Sequence, residues 1–134
     1  MIPTTNKALS TNLVFATQPT VQHQMMMKSS RILGRCDGLE AVKQAIYKIL
    51  NTERYEYEIY SWRYGVELMD LYGQAPEYVI PEIERRVTEA LTTDDRITGV
   101  DSFEFERPQK NSILATFTVH TIYGDASEEV TVNI

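Results

Sequence analysis

Apolar and polar residues alternate through the last third of the chain, and two clusters of turn-forming residues divide this stretch into three pieces. The apolar positions are Val100, Phe103 and Phe105 in the first piece, Ile113, Ala115, Phe117 and Val119 in the second, and Val130, Val132 and Ile134 in the third. Polar clusters at residues 107–111 and at Gly124 and Asp125 lie between the pieces. A period of two interrupted by short turns predicts three strands that pair as an antiparallel meander.

Helical spacing replaces this alternation in the middle of the chain. Asp37 and Glu40 have the spacing of a capping box, and they predict a helix that begins at Asp37 and ends near Asn51. A second helical region begins at Pro76, and Pro81 is expected to kink it or to mark its true first turn. The predicted inner faces are Leu39, Val42, Ile46, Ile49 and Leu50 in the first helix, and Ile80, Ile83, Val87, Ala90 and Leu91 in the second.

The order of these pieces predicts an α+β fold, in which two to three main helices pack on a C-terminal three-stranded antiparallel meander. A length of 134 residues fits one domain. We expect an irregular N-terminal segment at 1–36, a helical part at 37–95 and the meander at 96–134. Short extended pieces are expected at 13–16 and 21–27, and a short helix is expected at 66–72, ended by Gly73.

Half of the tyrosines and the only tryptophan lie within ten positions. These residues are Tyr55, Tyr57, Tyr60, Trp62 and Tyr64. The alternation at 54–62 predicts a short strand or extended segment whose Tyr55, Tyr57 and Ile59 pack inside the protein. Trp62 and Tyr64 lie next to Gly65, which breaks the pattern.

Composition excludes several classes of partner. The net charge is −6, and the pair Arg85 and Arg86 lies among glutamates, so no basic surface for nucleic acid is predicted. The sequence predicts no signal peptide and has no apolar run long enough to span a bilayer, so we expect no membrane partner. Cys36 is the only cysteine, which fits assembly in a reducing cytoplasm.

The sequence predicts no catalytic residue, no metal ligand and no cofactor. His23 and His120 are far apart, Cys36 has no second cysteine, and no phosphate-binding glycine motif occurs. A glycoside hydrolase needs only two carboxylates across a cleft, so it stays open as an alternative. Its candidate carboxylates, which lie near aromatic residues, are Glu53, Glu56, Glu58 and Asp70.

Arg96 follows two aspartates between the second helix and the first strand of the meander. One hypothesis is a local salt bridge, which contributes less than ~1 kcal/mol to stability if it is exposed. The other is that the acid and the arginine lie together in a protein interface, where bidentate pairing fixes orientation. Sequence alone favours the local salt bridge and leaves the interface as the alternative.

Four segments together resemble the small baseplate wedge protein of contractile phage tails. These segments are residues 37–52, 60–68, 83–91 and 94–97, and the likeness covers about residues 30–134. The resemblance is to the branch found in PBSX-like prophages, and more distantly to the lysozyme-like wedge family shared with type VI secretion baseplates. The family's Glu-Pro-Arg motif falls on Asp94, Asp95 and Arg96, of which only the arginine is kept.

The resemblance implies a structural component of the tail baseplate that is assembled in the bacterial cytoplasm and is not an enzyme. Its implied partners are larger baseplate wedge subunits, the tail sheath protein, and hub or tube-associated proteins. The implied interface residues are Asp94, Asp95, Arg96, Trp62, Tyr64, Val130, Val132 and Ile134. The C-terminal strands would extend the sheath by strand addition. A cell-wall glycan hydrolase and a free-standing interaction module remain the alternatives.

Overall fold

A computed structural model describes residues 16–17 and 19–134 of the chain. Two strands, two helices and three further strands follow one another. They are β1 (Gln22–Met26), β2 (Arg31–Cys36), α1 (Gly38–Leu50), α2 (Pro76–Thr92), β3 (Ile97–Gln109), β4 (Ser112–Thr121) and β5 (Gly124–Asn133), with 3-10 turns at Met27–Ser29 and Met69–Leu71. Of the extended piece expected at 13–16, only Ala16 lies among the described residues.

The C-terminal sheet has the strand order β3-β4-β5, with antiparallel pairing throughout. The predicted alternation in β4 is confirmed, because Ile113, Ala115, Phe117 and Val119 are all buried. They join residues of both helices in one hydrophobic cluster. Burial of this one face fixes the register of the central strand. The α+β class predicted from the sequence is therefore confirmed.

Helix α1 begins as its sequence predicts. The Asp37 side chain accepts a hydrogen bond from the Gly38 amide at 2.7 Å. Glu40 does not complete a capping box in this arrangement, since its carboxylate lies 3.6 Å from Lys43 Nζ. Val42, Ile46, Ile49 and Leu50 of the predicted inner face are buried, while Leu39 is half-buried.

Helix α2 has Pro76 in its first turn, and Pro81 lies inside the helix. The alternative that Pro81 marks the first turn is therefore wrong. A proline in the first turn costs little, because the amide it lacks would have no partner within the helix. The buried residues are Val79, Ile83, Val87, Ala90 and Leu91, and Ile80 is half-buried.

The short strand or extended segment predicted at 54–62 is absent, and a loop with several turns occupies these positions. Tyr55, Tyr57 and Ile59 are exposed, so the expectation that they pack inside the protein is wrong. A strand needs a neighbour for its backbone hydrogen bonds. This segment instead closes on itself through an isolated bridge between Glu53 and Val66. The short helix expected after it is reduced to the 3-10 turn Met69–Leu71.

Part of the N-terminal segment expected to be irregular is a β-hairpin. The strand expected at 21–27 is present as β1, and β2, which the sequence pattern did not predict, pairs with it. Gln44 of α1 fastens this hairpin to the domain. Its side chain accepts from the Met25 amide at 2.8 Å and donates to the His23 carbonyl at 2.7 Å.

Candidate protein-interaction site

Strand β5 is an edge strand whose pairing is regular. It pairs with β4 at ten consecutive positions, from Ser112 with Asn133 to Thr121 with Gly124, with no shift of register. Among the described residues, no strand pairs with its other side. A regular edge of this kind presents backbone donors and acceptors at the spacing that an added strand needs.

The opposite edge of the same sheet is irregular. Strand β3 shifts register at three places along its pairing with β4. Ser102, within one of these irregular stretches, has a φ of +55°. Bulges bend and twist a strand, and they protect an edge against pairing. The two edges are therefore not equivalent, and β5 is the one suited to strand addition.

The predicted interface residues of β5 do not present exposed side chains. What they offer to a partner is their place in the edge strand. Val132 is buried, and Val130 and Ile134 are partly buried against the core. The Ile134 amide donates to the Asn111 carbonyl at 2.9 Å, on the β4 side. Backbone groups alternate in direction along a strand, so those of Glu129 and Thr131 point toward the free edge.

A groove of about 490 Å³ lies beside this end of β5. It is lined by Leu68, Met69 and Tyr72 on one side and by Thr131, Val132 and Asn133 on the other. Met69 and Tyr72 are largely exposed. An incoming strand would therefore find apolar side chains next to the backbone edge.

A second predicted group of interface residues comes together in a cleft of about 720 Å³. Tyr64, Asp94, Asp95 and Arg96 all line it, although Tyr64 is distant from the others in sequence. Thr20, Gln22, Lys48, Ile49, Ser61 and Arg63 are also part of its lining. The described N-terminal segment, α1, the loop and the turn after α2 thus meet around one polar cleft.

The Asp94–Arg96 pair is bidentate and buried. Arg96 Nε donates to Asp94 Oδ1 at 2.9 Å, and Nη2 donates to Oδ2 at 2.6 Å. Burial raises the pKa of the Asp94 carboxyl, but the hydrogen bonds from Arg96 outweigh it and hold that pKa below its usual value. The local salt bridge of the first hypothesis is present, but it is not an exposed one, because Arg96 is only 7% exposed.

Trp62 and Tyr64 differ in exposure. Tyr64 is half-buried and stacks on Tyr60, with ring centroids 4.5 Å apart. Burial raises the pKa of the Tyr64 hydroxyl, with a further contribution from Tyr60. Trp62 lies outside the cleft lining and its ring is in solvent. Only Tyr64 of this predicted pair therefore shares a surface with Arg96.

Two of the four carboxylates considered for glycoside hydrolysis have structural hydrogen bonds. Glu53 Oε1 accepts from the Leu68 and Met69 amides at 3.1 and 3.2 Å. Asp70 is paired with Arg86, whose guanidinium also donates to the Glu67 carbonyl at 2.9 Å. These contacts fix the chain after the loop onto α2.

Within the described part of the chain, no group of three His, Cys, Asp or Glu side chains could hold a metal ion. No helix among these residues is long and apolar enough to cross a bilayer.

The meander carries a three-residue cluster that its sequence pattern does not predict. His120 lies on the less buried face of β4, as expected, and its two ring nitrogens contact two carboxylates. Nδ1 is 2.7 Å from Asp125 and Nε2 is 2.8 Å from Asp101. One side chain thus links all three strands. The sequence does contain a signal for this cluster. A histidine on the less buried face of a central strand has a neighbouring strand on each side, and side chains of both strands can bond to its ring.

These features define a class of protein: an α+β scaffold whose C-terminal sheet has one regular, open edge. Residues 17–124 match the model of the contractile injection system sheath initiator family. The phage-like element PBSX protein XkdS of Bacillus subtilis (strain 168) is 43% identical over 90 residues, which are 65% of this chain and 63% of that relative. The chain belongs to the sheath initiator family of contractile injection systems. The resemblance to a contractile-tail baseplate protein is thereby confirmed.

Proposed function

We propose that this protein starts assembly of the sheath of a contractile tail by offering the free edge of β5 to a strand of the first sheath subunits. Backbone hydrogen bonds would supply affinity, and side-chain pockets beside the edge would supply selectivity. The observation that carries this proposal is the contrast between the regular β5 edge and the β3 edge with its three register shifts. Membership of the sheath initiator family supports the same function.

The cleft that contains Tyr64, Asp94, Asp95 and Arg96 is proposed as the contact with a larger baseplate wedge subunit. Arg96 uses its guanidinium on Asp94, so its role there is to fix the shape of the turn. The partner would then contact the turn after α2 and the wall of the cleft. Trp62 lies in the sequence between Ser61 and Arg63, which both line that wall. Hub or tube-associated proteins are further candidates for partners of this surface.

The proposed place of action is the baseplate of the tail, after assembly in the bacterial cytoplasm. The proposed role is structural and involves no turnover. Its support is that Glu53 and Asp70 are engaged in holding the chain together.

A proline at the outer edge of β5 tests the sheath contact. Deleting the whole strand would also remove Val132 from the core, so a point variant is sharper. Thr131→Pro removes an amide that faces the free edge, a position where proline is tolerated in edge strands. Thr131→Ala keeps that amide and is the matched control.

Each variant would replace the native gene in a strain that makes complete tails, and particles would be imaged by electron microscopy. Thr131→Pro should give baseplates and tubes without sheath, and Thr131→Ala should give normal tails. Glu129→Pro provides a second test if Thr131→Pro fails to fold. Normal sheathed tails from a folded proline variant would overturn the proposal.

A further inference from the structure

Residues 55–62, here called the aromatic loop, expose an unusual amount of apolar surface. Five of their side chains are 43–85% exposed. The exposed fractions are 66% for Tyr55, 54% for Tyr57, 85% for Ile59, 43% for Tyr60 and 80% for Trp62. Adjacent large apolar side chains in solvent mark interaction sites. Tyrosine and tryptophan are also the residue types enriched at the energetic centres of interfaces.

The base of the aromatic loop is closed by backbone contacts. The Arg54 amide donates to the Val66 carbonyl at 3.3 Å, and the Val66 amide donates to the Thr52 carbonyl at 3.0 Å. Gly65, which directly precedes Val66, has a φ of +89°. A Cβ added at Gly65 would be 2.5 Å from the Thr52 carbonyl oxygen, so only glycine allows this closure.

Arg54 fastens the closed loop to the rest of the domain. Its guanidinium donates to the Gly65 and Arg63 carbonyls at 3.2 and 3.4 Å, and it pairs with Glu89 of α2 at 3.1 Å. The loop therefore presents its side chains from a fixed base. Pre-organisation of this kind lowers the entropic cost of binding.

Ring contacts order part of the exposed surface. The Tyr57 and Tyr60 rings meet edge to face at 6.3 Å, and Tyr60 stacks on Tyr64. Tyr55 has a φ of +70°, a left-handed conformation that is uncommon for a bulky residue. Such backbone strain is concentrated at functional sites. Ile59 and Trp62 remain the most exposed apolar side chains of the loop.

Charge indicates what the aromatic loop would bind. Glu56 and Glu58 are exposed between the aromatic residues, and residues 55–62 contain no lysine or arginine. Of the two flanking arginines, Arg54 is paired with Glu89 and Arg63 lines the cleft. Carboxylates attract cations, and the faces of tryptophan and tyrosine rings do so as well. An anionic membrane would be repelled, and a second copy of this loop would bring like charges together.

We propose that the aromatic loop is a docking surface for a lysine- or arginine-bearing segment of a neighbouring tail protein. The cation would lie against Trp62 and the two carboxylates, and the apolar part of the partner would cover Ile59. The choice of a tail protein as partner rests on the proposed function. The loop and the β5 edge are nevertheless different surfaces with separate tests.

Photocrosslinking in complete tails tests this surface. Benzoylphenylalanine in place of Ile59 would be introduced into the full chain, and crosslinked peptides would be identified by mass spectrometry. The expected result is a crosslink to another tail protein, within a few residues of a lysine or arginine. The same group in place of Tyr78, an exposed aromatic on α2, is the matched control and should not give that crosslink.

Charge variants then test the proposed chemistry. The double variant Glu56→Lys and Glu58→Lys should lower the yield of the crosslink at position 59 at least tenfold, and the corresponding glutamine variants should lower it less. Both replaced side chains are exposed, so circular dichroism should show an unchanged fold. A crosslink to a second copy of this chain, to lipid, or to nothing in assembled tails would overturn the proposal, as would a yield unaffected by charge reversal.

The two proposals fail separately. Sheathless particles made with Thr131→Pro should still give the crosslink at position 59, because that variant alters only the strand edge. Absence of the crosslink from sheathed particles in which position 59 carries the only replacement would overturn the docking surface alone. A normal sheath on Thr131→Pro particles that keep the crosslink would overturn only the sheath contact.

Discussion

Arg96 and Asp94 form a buried bidentate ion pair that joins the end of α2 to the start of β3. The Arg96 carbonyl accepts from the Ile122 amide at 3.0 Å, in the turn between β4 and β5. The same residue therefore fixes both the turn after α2 and the tip of a hairpin. This geometry assigns Arg96 first of all to the folding of the domain.

Arg96→Ala should lower the free energy of unfolding by about 2 kcal/mol, because it leaves the half-buried Asp94 carboxylate without its main donor. This is more than the ~1 kcal/mol limit expected of a surface change. Urea denaturation followed by circular dichroism measures the difference. Arg63→Ala is the control, since Arg63 lines the same cleft but is exposed. Equal stability of the two variants would contradict the role given to the pair.

Gly65→Ala should destabilise the protein by about 3 kcal/mol, because strain at a positive φ adds to a clash with the Thr52 carbonyl. Gly73 separates the two effects. Its φ of +82° is similar, and a Cβ there would meet nothing within 4 Å. Gly73→Ala should therefore cost only about 1 kcal/mol, the backbone part alone. Thermal melts of both variants would test this prediction. Similar losses of stability in the two variants would show that the base of the loop tolerates a side chain at Gly65.

The elements that the sequence predicted well are those whose signal is local. Helix α1 has a cap residue and a regular apolar face, and β4 alternates strictly between two turns. These patterns specify an element and its buried side without reference to distant residues. Strand β2 has no such pattern, since all its residues but Cys36 are exposed and its pairing with β1 alone defines it as a strand.

The aromatic loop shows why period two is insufficient to predict a strand. Its alternation is as regular as that of β4, but among the described residues no strand lies beside it. The two ends of the segment are instead joined by the isolated bridge between Glu53 and Val66. Pairing is a non-local property, and one sequence does not reveal it. The burial of Arg96 was missed for the same reason, because it depends on packing between segments far apart in the chain.

Glu53→Ala should loosen the segment that follows the aromatic loop. The Glu53 carboxylate accepts from the Leu68 and Met69 amides, so its loss exposes both amides to solvent exchange. Hydrogen–deuterium exchange at these two positions should speed up at least tenfold, with little change in α1. Glu53→Gln keeps one carbonyl acceptor and should show a smaller increase. Unchanged protection in Glu53→Ala would mean that Arg86 alone holds this segment.

The stability of the meander should depend on pH through His120. Hydrogen bonds that the ring donates to Asp125, and then to Asp101, raise the pKa of the His120 imidazole above its usual 6.5. The protonated ring donates to both carboxylates, so it joins β4 to both neighbouring strands. A histidine with a raised pKa stabilises the fold fully below its unfolded pKa and loses this contribution as pH rises through the folded pKa.

The melting temperature of the native protein should therefore exceed that of His120→Asn near pH 6, and the gap should narrow as pH is raised above neutrality. NMR titration of the ring protons measures the pKa directly. Asp125→Asn should lower the pKa of His120 more than Asp101→Asn does, following the order of the two hydrogen bonds. A melting-temperature gap that does not change with pH would mean that the ring links the strands in its neutral form.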